Sequence, residues 1–226
     1  MTKKRARALP TIHRFPEVDS TQDAARALID AGRAREGHII VADVQRTGRG
    51  RYGREWRSPP GGLYATMILA ARPLIAIEIG VAIVRALDVF DLRADLKWPN
   101  DIEVEGRKLA GTLIERVGDR LLVGIGVNLK EAPIPTAVSV KEIGATASRA
   151  ELLLGIWQHL QGGSGSERLL DSYRGRSSTL GRRVRVTKES GRTIEGIAMD
   201  IDENGHLLVE TEQRTEGIAS GTCIHL

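Results

Sequence analysis

Cysteine occurs once in the 226 residues, at Cys223. A single thiol forms no intramolecular disulfide and supplies no Cys-rich zinc site, which fits a reducing compartment, the cytoplasm. Aromatic residues make up only 4% of the chain. The aliphatic side chains must therefore fill the core, and no stacking platform for single-stranded nucleic acid is offered. Long apolar runs are lacking too. The longest, "LIAIEIGVAIV" (74–84), is short for a membrane span and is interrupted by Glu78. No apolar stretch follows the basic start "MTKKRAR" in the manner of a signal peptide, and no internal repeat is visible. Membrane association is not expected.

What is present suits a folded α/β protein. Hydrophobic residues account for 41% and charged residues for 27%, ordinary values for a globular chain. The length allows one large domain, or a large one with a small companion. The net charge is +4, and the stretch "MTKKRAR" carries much of it. Such a segment reads as a solvated start, with nucleic acid or an acidic partner as the functional alternative.

Periodicity and turn residues place the elements. A short strand is expected over 11–18, then a helix opened by Ser20, with Asp23 at capping-box spacing and Gly32 to end it. Strands follow over 38–45 and 63–70, and a long buried helix runs from Leu74. Residues 94–128 alternate short strands with the tight turns "PND", "EGR" and "GD", an antiparallel meander. Ser148-x-x-Glu151 caps a helix, "QGGSGS" (161–166) is a flexible connection, and a further helix follows. From Leu180 only short strands remain, "TEGIASGTCIHL" (215–226) being the last. They suggest a small barrel attached to the body.

The loop "GRGRYGREW" (48–56) has the Gly-x-Gly-x-x-Gly spacing of a dinucleotide fingerprint. That fingerprint needs a helix to start within it and an acidic residue at the end of the next strand. Here "SPPGG" (58–62) follows, and strand 63–70 leads into Ala71 and Arg72. The Rossmann reading fails, and the kinase and P-loop motifs are missing. What remains is a cationic, Gly-rich loop suited to carboxylates or phosphates.

Five blocks in order, "DSTQ" (19–22), "QRTGRGRYGREW" (45–56), "KWPNDI" (97–102), "KLAGTLIE" (108–115) and "GIGVN" (124–128), resemble those of biotin protein ligases. The resemblance implies an α+β, class II synthetase-like catalytic domain with a mixed, mainly antiparallel sheet and flanking helices over 1–178. A small SH3-like β-barrel is implied over 179–226. The implied reaction joins biotin to ATP as biotinyl-5′-AMP and passes the biotin to a lysine of a biotin carboxyl carrier domain of a biotin-dependent carboxylase. ATP and Mg²⁺ are required, and no prosthetic group is. A homodimer is also implied.

By the same resemblance, Arg51, Lys108 and Asp101 are catalytic, with Arg51 and Lys108 facing the biotin carboxylate and the α-phosphate. Lys97 is the competing lysine, which also reads as support for its turn. Ser20, Thr21, Gln22 and Gln45 serve the ureido ring, with Arg49, Gly50, Arg51 and Gly111, and Lys108 at the carboxylate end. Arg49, Arg51, Arg54, Trp56, Asn100, Lys108 and Asn128 serve ATP and the adenylate. Asp101 is the candidate for Mg²⁺, which prefers carboxylate plus phosphate oxygens. Ser20 also reads as a helix cap, and Asn100 and Asp101 as turn residues.

Two positions depart from the family pattern. Tyr52 stands where a basic residue is frequent, and Thr222 follows Gly221 where an acidic residue is usual, which argues against a C-terminal contribution to ATP binding. Few residues precede the first block, too few for a helix-turn-helix, so no specific DNA binding is expected. A mobile loop at 46–57 implies that biotin binds first and MgATP second. Two alternatives stand beside the ligase. A lipoate or octanoate ligase would show an apolar slot without ureido partners, and a non-enzymatic nucleic-acid binder would show salt-dependent binding without ATP turnover.

Overall fold

The computed structural model describes residues 9–162 and 165–226. The basic stretch "MTKKRAR" lies outside the described residues, as do Gly163 and Ser164 of the "QGGSGS" connection.

Seven strands form the main sheet: β1 (Thr11–Val18), β2 (His38–Gln45), β3 (Leu63–Ala70), β4 (Asp95–Lys97), β5 (Asp101–Val104), β6 (Arg107–Val117) and β7 (Arg120–Val127), in the order β1-β2-β3-β7-β6-β5-β4. Only β1 and β2 run parallel. The helix α1 (Thr21–Asp30) makes the crossover that a parallel pair requires. The remaining pairs are antiparallel. Glu105 and Gly106 both take positive φ in the two-residue loop between β5 and β6, the geometry that matches the strand twist.

The two faces of the sheet are covered differently. Helices α2 (Ile75–Asp88) and α3 (Arg149–Gln161) pack with Ile39, Val41, Ala65 and Met67 in the larger core. Nearly every residue of α2 is buried, as its continuous apolar sequence dictates. Each buried Ile or Leu there contributes about 1.5–3 kcal/mol. On the opposite face α1 covers Ile40, Ile68 and Leu122 through Ala25 and Leu28. The same face of β7 continues from Leu122 to Gly124 and Gly126. Without side chains, these two positions leave a trough beside the N-terminal end of α1.

A fourth helix, α4 (Ser166–Arg174), leads to β8 (Arg183–Thr187), β9 (Thr193–Ile201), β10 (Leu207–Glu210), β11 (Thr215–Ile218) and β12 (Thr222–His225). These form an antiparallel sheet in the order β11-β10-β9-β8-β12, the expected SH3-like module. One expectation needs correction. "TEGIASGTCIHL" is not a single strand, because it breaks at 219–221 into β11 and β12, which lie on opposite edges. A side chain at Gly221 would crowd Val186 and the Thr187 carbonyl, so the chain turns there only as glycine.

The module is joined firmly to the body. Val184, Val186, Ile201 and Leu207 belong to the same core as α2 and the main sheet. Residues 176–178 cover the outer edge of β4, with Leu96 N donating to Arg176 O at 2.7 Å and Ser178 N to Leu96 O at 2.9 Å. The Thr179 hydroxyl accepts from Trp98 N at 3.0 Å. Among the described residues, no helix is long and apolar enough to cross a membrane.

Candidate functional site

At the N-terminal end of α1 the trough deepens into a cavity of about 610 Å³. Its walls come from the start of α1, the loop after β2, the β4–β5 turn, β6, β7 and, unexpectedly, β12. Every residue singled out as a site candidate in the sequence lines it.

One end is a neutral polar cluster. Ser20 caps α1, its hydroxyl accepting from Gln22 N at 3.2 Å. The side-chain Oε1 of Gln45 accepts from Thr21 N at 2.8 Å and from the Thr21 hydroxyl at 3.0 Å. Gln45 Nε2 donates to Ser58 at 2.8 Å, and the Thr66 hydroxyl donates to Thr21 at 2.8 Å. Gln22 Nε2 donates to the carbonyls of Leu113 and Leu122 at 3.0 and 3.4 Å. Its Oε1 is buried and unpaired among the described residues. A buried acceptor without a donor is costly unless a ligand satisfies it.

The loop 46–57 roofs the cavity as a tight hairpin. Gly50 N donates to Arg54 O at 2.7 Å and Trp56 N to Gly48 O at 2.8 Å. A Cβ on Gly48 would overlap the Trp56 carbonyl, which explains the first glycine of the motif. The Trp56 indole lies on the floor made by Gly111 and Gly126, where a side chain on either would crowd the ring. Its buried N–H is likewise unpaired among the described residues.

The three loop arginines, equal in the sequence, have unequal surroundings. Arg49 forks onto Asp23 at 2.6 and 2.7 Å. That contact holds the Asp23 carboxyl below its usual pKa range and raises the guanidinium. Asp23, expected to complete the capping box of α1, thus serves the loop instead. Arg51 and Arg54 meet only neutral partners among the described residues. Arg51 reaches Tyr52, Asn100 and the Gly221 carbonyl, and Arg54 donates to Thr222 at 2.9 Å. They carry the uncompensated positive charge of this end.

Lys108 Nζ pairs with Asp101 at 2.7 Å and stands 5.3 Å from the Trp56 ring centroid. Lys97 also borders the cavity, but it pairs at 2.8 Å with Glu103, which is buried. Asn100 Nδ2 donates to Thr112 O at 2.8 Å, and its carbonyl oxygen accepts from Arg51 at 3.4 Å. Asn128 is buried, and its amide donates to Val138 O at 3.2 Å and Lys108 O at 3.4 Å. It thereby clamps the segment after β7 onto β6. Among the described residues no cluster of three or more His, Cys, Asp or Glu could hold a metal alone.

Sequence reasoning missed several contributors. Ser58 and Thr66 complete the polar network, yet neither belongs to a motif. Gly124 and Gly126 stood in a quoted block, but their role as an open floor depends on which strand face carries α1. The C-terminal module also borders the cavity. Gly221 and Thr222 line it and accept from Arg51 and Arg54, the Thr222 hydroxyl standing where the family pattern has an acidic residue. Cys223 lines the same wall, with burial pushing its thiol up to about 11, so it stays protonated near neutral pH.

Known proteins match this arrangement in sequence and in fold. Residues 15–130 match the biotin/lipoate A/B protein ligase family and residues 179–226 the biotin protein ligase C terminal domain. The biotin--[acetyl-CoA-carboxylase] ligase of Mycobacterium tuberculosis is 31% identical over 242 residues, covering 93% of this chain and 87% of that protein. The bifunctional ligase/repressor BirA of Escherichia coli is 31% identical over 224 residues, covering 88% of this chain and 68% of that protein. The biotin protein ligase from Aquifex aeolicus, solved in complex with biotin and ATP, superposes with a TM-score of 0.81 at 30% identity, covering 96% of this chain and 98% of that one. With the family pattern spanning the catalytic blocks and relatives aligned along almost the whole chain, this protein belongs to the biotin/lipoate A/B protein ligase family.

Proposed function

We propose that the chain is an ATP-dependent biotin protein ligase acting in two half-reactions within this one cavity. The carrying observation is the cavity's polarity. A neutral end with an orphaned acceptor, Gln22 Oε1, opposes a cationic end formed by Arg51, Arg54 and Lys108. A ureido ring offers N–H donors and a carbonyl acceptor, and its partners stand ready in Gln22, Thr21, Gln45 and Ser20. An acyl tail runs from this cluster through the cavity beneath loop 46–57, and its carboxylate ends beside Lys108. A lipoyl or octanoyl group would leave Gln22 Oε1 without a donor, which disfavours that reading.

In the first half-reaction a carboxylate oxygen of biotin attacks the α-phosphorus of ATP. The bond to pyrophosphate breaks, and biotinyl-5′-AMP forms. Arg51 and Lys108 neutralise the approaching anions and the charge that builds on the phosphoryl oxygens. Trp56 and Arg54 flank the adenine, while Asn100 orients Arg51. Asn128 acts by holding the wall. In the second half-reaction the neutral amine of a carrier lysine attacks the acyl carbon, and AMP leaves. Asp101 suits Mg²⁺, because one carboxylate on the wall is what an ion held mainly by phosphate oxygens requires. The ion would supply neutralisation of the triphosphate charge. We assign catalysis to 1–178 and the wall beside Arg51 to the 179–226 module.

The partner we propose is a biotin carboxyl carrier domain. The assembly is a homodimer, in the cytoplasm, without sequence-specific DNA binding. Incubation with MgATP, biotin and a purified carrier domain should add one biotin at the acceptor lysine and none to a Lys→Arg carrier. Equal labelling of both carriers would overturn the assignment of the acceptor.

A further inference from the structure

We propose that Tyr52 is a positioning residue for Arg51, its phenol fixing the guanidinium on the cavity wall where carboxylate and α-phosphate meet. The inference rests on reading this cavity as the adenylation site.

Tyr52 occupies the crest of the loop with φ 58° and ψ 33°, a left-handed conformation that a bulky L-residue adopts only under strain. Glycine would fit the turn without that penalty, as Gly53 does at φ 70°. Packing does not repay the strain, because Tyr52 is 44% exposed. What the conformation achieves is contact with its neighbour. The Tyr52 hydroxyl accepts from Arg51 Nη2 at 2.9 Å, and the guanidinium carbon stands 4.9 Å from the ring centroid. The other Arg51 contacts are longer, 3.3 Å to the Gly221 carbonyl and 3.4 Å to Asn100.

The chemistry of the partner matters as much as the distance. An acidic partner would cancel the charge, as Asp23 does for Arg49. A phenol restricts a long, rotamer-rich side chain and leaves its charge available to an incoming anion. Tyrosine therefore supplies order without neutralisation, at a position where neither burial nor the turn selects it.

The test compares wild type, Tyr52→Gly, Tyr52→Phe, Arg51→Ala and the Tyr52→Gly/Arg51→Ala double variant in thermal melting and in biotinyl-adenylate formation across ATP concentrations. Tyr52→Gly should melt at or above the wild-type temperature while kcat/KM for ATP falls about threefold to tenfold, with Tyr52→Phe between them. In the Arg51→Ala background, Tyr52→Gly should have less than about a twofold effect, because a residue acting through Arg51 has nothing left to position. Wild-type activity in Tyr52→Gly, or an equal loss in both backgrounds, would overturn the proposal. Should the wild type form no adenylate, the adenylation reading falls on its own. Tyr52 is then judged by titrating tripolyphosphate calorimetrically. Weaker binding in Tyr52→Gly only while Arg51 is present supports positioning, and equal affinity in all variants rejects it.

Discussion

Two lysines compete in the sequence for the carboxylate side of the reaction, and their partners separate them. Lys97 is held by Glu103, a buried carboxylate that would be stranded if its cation moved. Lys108 is held by Asp101, whose side chain is 28% exposed and can turn to water or to an ion. Lys108 is thus the cation free to change partner when substrate arrives. Lys108→Ala should lower the rate of adenylate formation by about 10²–10³-fold with little change in melting temperature. Near-normal turnover by the folded variant would remove Lys108 from the reaction. The residues of the site were legible because family blocks carry them. Their environments were not. Nothing in "GRGRYGREW" tells Arg49 from Arg51, since the distinction lies in Asp23, a residue brought near by the fold.

At the scale of the element, loop 46–57 is less free than its glycines suggest. Thr47 N donates to Asp19 O at 2.9 Å, Arg46 pairs with Asp19 and Glu17, and Arg49 forks onto Asp23. These exposed pairs are individually weak, but together they tie the roof of the cavity to the start of α1. Reversing the sign of the Arg49 contact is a sharp probe. Asp23→Arg should speed proteolytic cleavage within 46–57 and raise KM for biotin several-fold, with kcat less affected. Adding Arg49→Asp should restore much of both, and biotin should slow cleavage in the wild type. Cleavage that ignores biotin and both substitutions would show that the loop is not a closing roof. The strands and helices themselves were largely legible, since β-branched runs, Ser caps and glycine turns mark them. The break in "TEGIASGTCIHL" was not, because one continuous apolar pattern serves either one strand or two on opposite edges.

At the scale of the whole molecule, the cavity proposed for adenylation lies at a seam. The main sheet supplies the floor, α1 the polar end, and the C-terminal module the wall against which Arg51 and Arg54 rest. A composition and a chain of motifs announce both parts, but not that β12 turns toward the cavity. That follows from Gly221 and from a core shared between module and body. One claim is central, that this cavity activates biotin with ATP. The most direct measurement is mass spectrometry of the products after incubating the protein with MgATP and biotin, lipoate or octanoate in parallel. Biotinyl-5′-AMP from biotin, with little or no adenylate from the other two acids, is the predicted result. An adenylate of lipoate or octanoate in preference to biotin, or none from any acid in a folded sample, would contradict it.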